Sequence, residues 1–236
     1  MTEFTTWRSL VDGEEISAIP DILVDNFELE DSDPLGVWKD GETPNDRYPQ
    51  ESGQSGTFEF VTDANEAIEG ERYLKNDTDS GYLISQEGDG LNRYPEKGDV
   101  FEGYVNVVDA ATFNHGQIVF GAEESTDRNF YEVRVYPDDA TFSVKVWVDG
   151  SDTALDSESV SLSFGEWYRI EVEWHDGSAG ESDNEIVCRL YDDQDNEIAS
   201  VQANDDTFSD ESGFGFGHSG SSDETRFDAA NVTSSV

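Results

Sequence analysis

Six side chains in the middle of the chain combine aromatic rings with charged groups. They alternate with apolar residues in the segments 130–136 and 142–148. Alternate residues of a strand point to the same face, so both segments predict half-buried strands with these six side chains outward. The six are Phe130, Glu132, Arg134, Tyr136, Lys145 and Trp147. A tryptophan beside polar groups suits a sugar, because the ring stacks on the sugar while the polar groups bond its hydroxyls.

Two more cations occupy outward positions of neighbouring candidate strands, Arg169 in 167–174 and Arg189 in 186–191. Because cations are scarce, we expect Arg134, Lys145 and both of these to share one ligand-binding face. The predicted ligand-binding residues are Glu132, Arg134, Tyr136, Lys145, Trp147 and Arg169. Three alternatives remain: a solvated face with local ion pairs, a face covered by the loops at 31–56 and 109–129, and a subunit interface.

The two segments are predicted to form a hairpin, which positions these residues. Residues 137–140 have turn chemistry and place Tyr136 opposite Thr141. In this register Glu132 faces Lys145, a favourable cross-strand ion pair. The remaining pairs are Phe130 with Trp147 outward, and Val135 with Phe142, Val133 with Val144 and Tyr131 with Val146 inward. A slip of one residue would turn the apolar side chains to water, so the pattern specifies the register.

The inward residues of these strands need an apolar cover. Val148 extends the inward set of the hairpin, and the strand 167–174 continues it with Ile170, Val172 and Trp174. About a dozen short strands at regular spacing predict an all-β, two-sheet antiparallel sandwich or barrel.

The charge of the chain limits its surroundings and partners. Its 236 residues carry 55 Asp and Glu against 13 Lys and Arg, a formal net charge of −42. We interpret this as a halophile's protein, because in molar salt the Debye length is about 3 Å and carboxylate repulsion is screened. Without a basic patch, nucleic acid is not an expected partner. We expect no membrane partner either, because no apolar run of about 18 residues is present.

The ordered set of short motifs resembles a known family. The chain from about Val24 to Thr233 is similar to concanavalin A-like, or laminin G-like, jelly-roll domains of haloarchaea and their viruses. The motifs stand at 25–28, 70–74, 94–95, 98–101, 165–168, 213–215 and 226–228. The resemblance implies a jelly-roll sandwich over residues 24–236. Residues 1–23 are then a leader, which looks like the opening of haloviral virion proteins.

The resemblance also implies a structural calcium ion where the first and last strands meet. Glu28 would match the acid of the first strand and Asp228 that of the last, with Asp25 as a further ligand. Calcium takes six to eight oxygen ligands, so backbone carbonyls would have to contribute. The alternative is that these are ordinary members of an acidic surface.

Signals for catalysis are weak in this sequence. Glu171 and Glu173 share a predicted face, as a glycosidase carboxylate pair would. Their aromatic flanks favour packing instead, and no histidine stands in a recognised lyase or zinc motif. We therefore expect no catalytic residues, and the alternative is a polysaccharide lyase or glycosidase.

Together these features predict a non-catalytic structural or adhesive protein of a halophilic virus particle. Its expected partners are host surface glycans, other virion proteins and further copies of itself in a homo-oligomer. No signal peptide is recognisable at the N-terminus. We therefore expect the chain to be made in the cytoplasm and to act on a virion or an extracellular surface in high salt.

Overall fold

The structure is a computed structural model. It describes residues 58–77, 80–87, 91, 93–109, 113–124, 128–176, 185–220 and 224–233 with their side chains. For residues 10–11, 14–15, 22–25, 50–52, 79, 221 and 234–235 it describes the backbone. Within these ranges the chain forms strands, turns and loops. None of the described residues forms a helix of the length and apolar character that crossing a membrane requires.

The strands are short and follow one another along the chain. They are β1 (Leu10–Val11), β2 (Glu14–Glu15), β3 (Ile22–Asp25), β4 (Gln50–Ser52), β5 (Phe58–Thr62), β6 (Arg72–Asn76), β7 (Asp79–Ser85), β8 (Asp99–Val107), β9 (His115–Ala122), β10 (Phe130–Tyr136), β11 (Thr141–Val148), β12 (Ser151–Ser159), β13 (Trp167–Trp174), β14 (Ile186–Tyr191), β15 (Glu197–Ala203), β16 (Gly213–Ser221) and β17 (Thr225–Ser235).

Two antiparallel sheets form the body of the domain. The seven-stranded sheet has the order β12-β11-β10-β9-β16-β7-β4, and the eight-stranded sheet has the order β15-β14-β13-β8-β17-β6-β5, with β3 paired to β17. This is the predicted all-β, two-sheet antiparallel jelly-roll sandwich. The strand β3 runs across the expected boundary between residues 23 and 24. The division into a leader and a domain stays a prediction.

The central hairpin has the predicted register. Every expected pair of β10 and β11 is present, from Phe130 opposite Trp147 to Tyr136 opposite Thr141. The inward valines are fully buried at Val133 and Val144. Val148 is an exception and is 43% exposed. It ends β11 at the turn 149–150, beyond the edge of the covered core.

Aromatic side chains join the two sheets across the core. The Trp174 ring, on β13, lies 5.1 Å from the Phe120 ring and 6.1 Å from the Tyr131 ring, both of the opposite sheet. All three side chains are without solvent exposure. Burying aromatic rings of this size is the main favourable contribution that such a core makes to folding. The other face of the seven-stranded sheet is then left to form a site.

Candidate functional site

The outer face of the seven-stranded sheet carries the predicted residues of the hairpin, but its centre is buried. Glu132 and Phe130 have at most 1% of their surface exposed. Glu132 was expected to bond a ligand directly, and its burial contradicts that contact. An apolar cluster of Tyr82, Ile84, Val119, Ala122 and Phe130 occupies this face, with Trp147 packed against it.

Glu132 is instead the anchor of two neighbouring polar side chains. Its Oε2 accepts a hydrogen bond of 2.9 Å from the Tyr82 hydroxyl, and its Oε1 accepts one of 2.5 Å from Arg134 Nη2. A buried carboxylate is tolerated when it is paired and hydrogen-bonded in this way. Burial, with the adjacent Glu132 charge, raises the pKa of Tyr82 well above its usual value. The tyrosine hydroxyl therefore stays protonated and donates a hydrogen bond to the carboxylate.

Arg128 lies against the aromatic rings of this face. Its guanidinium carbon is 5.0 Å from the centre of the Tyr82 ring and 4.9 Å from that of Trp147. The two rings are themselves 6.3 Å apart and meet edge to face. A cation over an aromatic ring is stabilised by about 0.5–2 kcal/mol, depending on its desolvation. Arg128 and Trp147 therefore hold one another in place.

A cavity of about 250 Å³ opens beside these rings. Its lining consists of Ser80, Tyr82, His115, Arg128, Arg134, Trp147, Asp152, His218 and Ser219. Two predicted residues, Arg134 and Trp147, are thus part of the wall. Of the other predicted residues, Lys145 pairs with Asp152 at 2.6 Å, and the ring of Tyr136 packs at a tilt against that of His115 with ring centres 4.9 Å apart.

His115, which lines this cavity, carries a hydrogen-bond acceptor on its ring. Its Nδ1 lies 2.9 Å from the backbone carbonyl of Phe113. A carbonyl only accepts, so Nδ1 carries the proton and Nε2 is left with its lone pair. Burial and the nearby Arg134 charge lower the pKa of His115 well below its usual value. The ring is therefore uncharged near neutral pH.

Several buried polar atoms around the cavity have no hydrogen-bond partner among the residues that the structure describes. They include Arg134 Nε, Trp147 Nε1 and both amide atoms of Gln117. Gln117 stands opposite Arg134 on one side and Gly217 on the other. A Cβ at Gly217 would lie 2.5 Å from Gln117 Oε1 and 2.7 Å from the Tyr82 ring, so only glycine leaves both side chains room. Unpaired polar atoms are uncommon in protein interiors, so their concentration on this face calls for an explanation.

Arg169 and Arg189 do not belong to this face, which corrects the expectation of one shared cationic face. They lie on β13 and β14 of the eight-stranded sheet. Arg169 bonds Glu102 at 2.8 Å and Asp195 at 2.5 Å and lines a separate cavity of about 590 Å³. The mistake came from treating β13 as a neighbour of β11, whereas the chain crosses to the other layer between them.

The carboxylates considered for catalysis are also on this second face. Glu171 accepts hydrogen bonds from Arg189 at 3.1 Å and from Tyr191 at 3.2 Å. Glu173 pairs with Arg189 and with His175. Both acids are thus engaged by cations, which is the arrangement of a structural ion-pair network.

Asp228 does not fit the role of a calcium ligand. It is fully buried, and its Oδ2 accepts backbone N–H bonds from Ile68 at 2.7 Å and Glu69 at 3.2 Å. Its Oδ1 accepts another from Ala229 at 2.8 Å. The Asp228 carboxylate, on β17, therefore holds the turn that precedes β6.

The other expected calcium ligands are less defined. Glu28 and the side chain of Asp25 lie outside the described residues, although the backbone of Asp25 pairs with Ala230. Among the residues that the structure describes, no group of three acids, histidines or cysteines is placed to hold a metal.

Sequence reasoning found two of the nine residues that line the cavity, and three of those it missed carry most of the site's chemistry. Tyr82 stands in a predicted strand, but nothing local indicates that this strand joins the sheet of the hairpin. Arg128 precedes β10 in a loop without periodicity. His115 begins β9, and no motif around it indicates a ligand-binding role. Only the strand order brings these residues together, because β16 lies between β7 and β9 in the sheet.

Comparisons with known proteins bear on the fold. No family model matches the chain. No curated protein matches it either. Among solved structures it is similar to the PL-14 alginate lyase of Aplysia kurodai, with a TM-score of 0.51, 11% identity, and 74% of this chain and 87% of the other covered. This likeness supports the two-sheet antiparallel sandwich as the fold.

Two carbohydrate-binding proteins show lower structural similarity. The CBM66 module of Bacillus subtilis has a TM-score of 0.45, 14% identity and coverage of 75% of this chain and 92% of the module. Lectin II of Ulex europaeus has a TM-score of 0.45, 10% identity and coverage of 79% and 92%. Identities this low concern the fold alone, so the function has to be argued from the site.

Asp228 predicts a specific pH dependence of stability. Burial raises its pKa to about 7 from a usual 3.8, against the effect of its three N–H donors. The folded protein then binds this proton more tightly than the unfolded chain. Its contribution to stability is complete below the unfolded pKa and is lost as the pH rises to about 7. Asp228→Asn should remove this loss, which is at most about 1.4 kcal/mol per pH unit.

Urea unfolding at molar KCl, at about pH 5 and pH 7, measures the difference between Asp228→Asn and the wild type. Asp192→Asn is the control, because hydrogen bonds from Asn196 lower the pKa of Asp192 below 3.8 and it is ionised throughout this interval. Its curve should run parallel to that of the wild type. A parallel curve for Asp228→Asn as well would contradict the prediction.

Proposed function

We propose that this chain is a non-catalytic carbohydrate-binding domain whose ligand lies against Trp147. The observation that carries the proposal is the cavity where the Trp147 indole stands beside Arg128, Arg134 and the acceptor of His115. Sugars offer an apolar face of C–H groups and a rim of hydroxyls, so they need an aromatic ring and a few placed polar groups. The cavity is slightly smaller than the roughly 300–1,000 Å³ of typical ligand pockets, which suits a single sugar unit.

The pairing of the acids in and behind the cavity wall, Asp152 and Glu132, favours binding over hydrolysis. A glycosidase needs one carboxylic acid and one carboxylate across the scissile bond, about 5–9 Å apart. Here Glu132 is buried between Tyr82 and Arg134, and Asp152 is paired with Lys145. Neither is available as a proton donor or a nucleophile.

A polysaccharide lyase is the alternative function. It is favoured by one observation, the unprotonated Nε2 of His115 in the same cavity as Arg134. A lyase would generate new unsaturated chain ends, which absorb in the ultraviolet. We expect none when the protein is incubated with polysaccharides at molar salt.

Trp147→Ala tests the proposed site. The variant should lose its glycan ligand, with an affinity about tenfold or more below that of the wild type, because it removes the stacking ring. A glycan array read at molar salt identifies a ligand, and calorimetry with that ligand gives the affinity.

Trp167→Ala is the matched control, because Trp167 is also half-buried but lines the cavity of the opposite sheet. It should bind as the wild type does. Loss of binding in Trp167→Ala alone would move the site to the other sheet. Equal binding by all three proteins would contradict the proposal.

A finer proposal concerns the setting of the domain. The net charge of −42 and the resemblance of residues 1–23 to virion proteins support a place on a halophilic virus particle, in which copies of the chain contact host glycans and one another. Mass spectrometry of purified particles is the test, and we expect the chain among their stoichiometric proteins. Its absence from particles that still infect would contradict this setting.

A further inference from the structure

We infer that the cavity selects an acidic sugar, a uronate or a sulfated residue, and that Arg128 binds its anionic group. This inference rests on the proposed function and adds the chemical class of the ligand. It depends on Arg128 and on the distribution of charge around it.

The other charged side chains at the cavity form pairs. Arg134 is bonded to Glu132 at 2.5 Å, and Lys145 to Asp152 at 2.6 Å. Arg128 differs from both: its guanidinium lies over the rings of Tyr82 and Trp147, and none of the carboxylates that the structure describes forms an ion pair with it. The chain has 55 Asp and Glu for 13 Lys and Arg, so most cations should find a carboxylate partner. A guanidinium that pairs with none of the described carboxylates is therefore unexpected. It leaves one positive charge at the cavity that a ligand can neutralise.

The backbone holds Arg128 in position. Its carbonyl accepts a hydrogen bond of 3.2 Å from Gly150 N. The next residue, Asn129, accepts one of 2.7 Å from Asp149 N and donates one of 2.8 Å to Glu123. These bonds fix the segment before β10 against the turn that follows β11. A binding group held in advance loses less entropy when the ligand arrives.

The ring contacts of Arg128 do not use its hydrogen-bond donors. A cation over a ring is held by the ring quadrupole, so its five N–H donors stay available. A guanidinium binds a carboxylate or sulfate through two parallel hydrogen bonds, which are among the strongest in proteins. Such direct contact is needed here, because in molar salt the Debye length of about 3 Å removes attraction at longer range.

The remaining groups match the rest of an acidic sugar. The Nε2 of His115 accepts a hydrogen bond, so it suits a hydroxyl and not a second anion. Ser80 and Ser219 line the same wall, and the Ser80 hydroxyl lies 3.2 Å from that of Ser219, which as the acceptor keeps its own proton to donate. The Trp147 ring provides the stacking surface. A ligand with one anionic group, hydroxyls and an apolar ring face satisfies all of these, whereas a bare inorganic anion satisfies only Arg128.

The test compares ligands of equal shape and different charge. Oligogalacturonate and its methyl ester share one backbone, and dextran sulfate and dextran share another. Calorimetry at molar KCl should show the wild type binding at least one acidic ligand about tenfold or more tightly than its neutral counterpart. Binding in the first pair identifies a carboxylate as the group, and binding in the second identifies a sulfate.

Arg128→Gln should reduce the affinity for the acidic ligand to that for the neutral one. Arg72→Gln is the control with the same change of charge, because Arg72 lies on the eight-stranded sheet and donates to Thr62. Equal wild-type affinity for acidic and neutral ligands, with dependence on Trp147, would overturn this inference and leave the proposed function standing. A preference that survives in Arg128→Gln would also overturn it. No binding of any of the four ligands would overturn this inference as well, and the proposed function would then be decided by the glycan array and the Trp147→Ala variant.

Discussion

The candidate site depends on one buried charge. Glu132 is without solvent exposure in the centre of a sheet face, and a carboxylate there requires partners. It receives them from Tyr82 on β7 and from Arg134 on its own strand. Since β9 and β16 lie between β7 and β10, the bond from Tyr82 spans four strands. Removing one partner of such a buried group typically costs about 3–5 kcal/mol, so this arrangement also keeps the face in shape.

The two faces of the seven-stranded sheet have different tasks. The inner face carries Val133, Val144 and the rings that pack on Trp174, and it stabilises the sandwich. The outer face gathers aromatic and cationic side chains above Glu132. This division follows from the period of two along each strand, because one sequence serves both faces by alternation. The outer face differs from the rest of this acidic chain, because the wall of its cavity combines the cations Arg128 and Arg134 with a neutral His115.

The sequence allowed the hairpin to be predicted residue by residue, because alternation and the turn at 137–140 act locally. It did not show which strands share a sheet, and Arg169 was therefore placed on the wrong face. The strand β12 was also missed, since its exposed residues lack apolar alternation and it is held by backbone pairing to β11. The burial of Glu132 and the N–H donors around Asp228 depend on contacts between distant segments. Local patterns carry no information about such contacts.

The central claim is that the outer face of β10 and β11 binds an acidic sugar beside Trp147. The indole N–H resonances of the protein's five tryptophans report on it directly, because Trp147 Nε1 is buried beside the cavity and has no hydrogen-bond partner in the described part of the chain. Titration with oligogalacturonate or dextran sulfate at molar salt should shift the Trp147 signal, while the signals of Trp167 and Trp174 stay in place. A stationary Trp147 signal together with a shifted Trp167 signal would contradict the account.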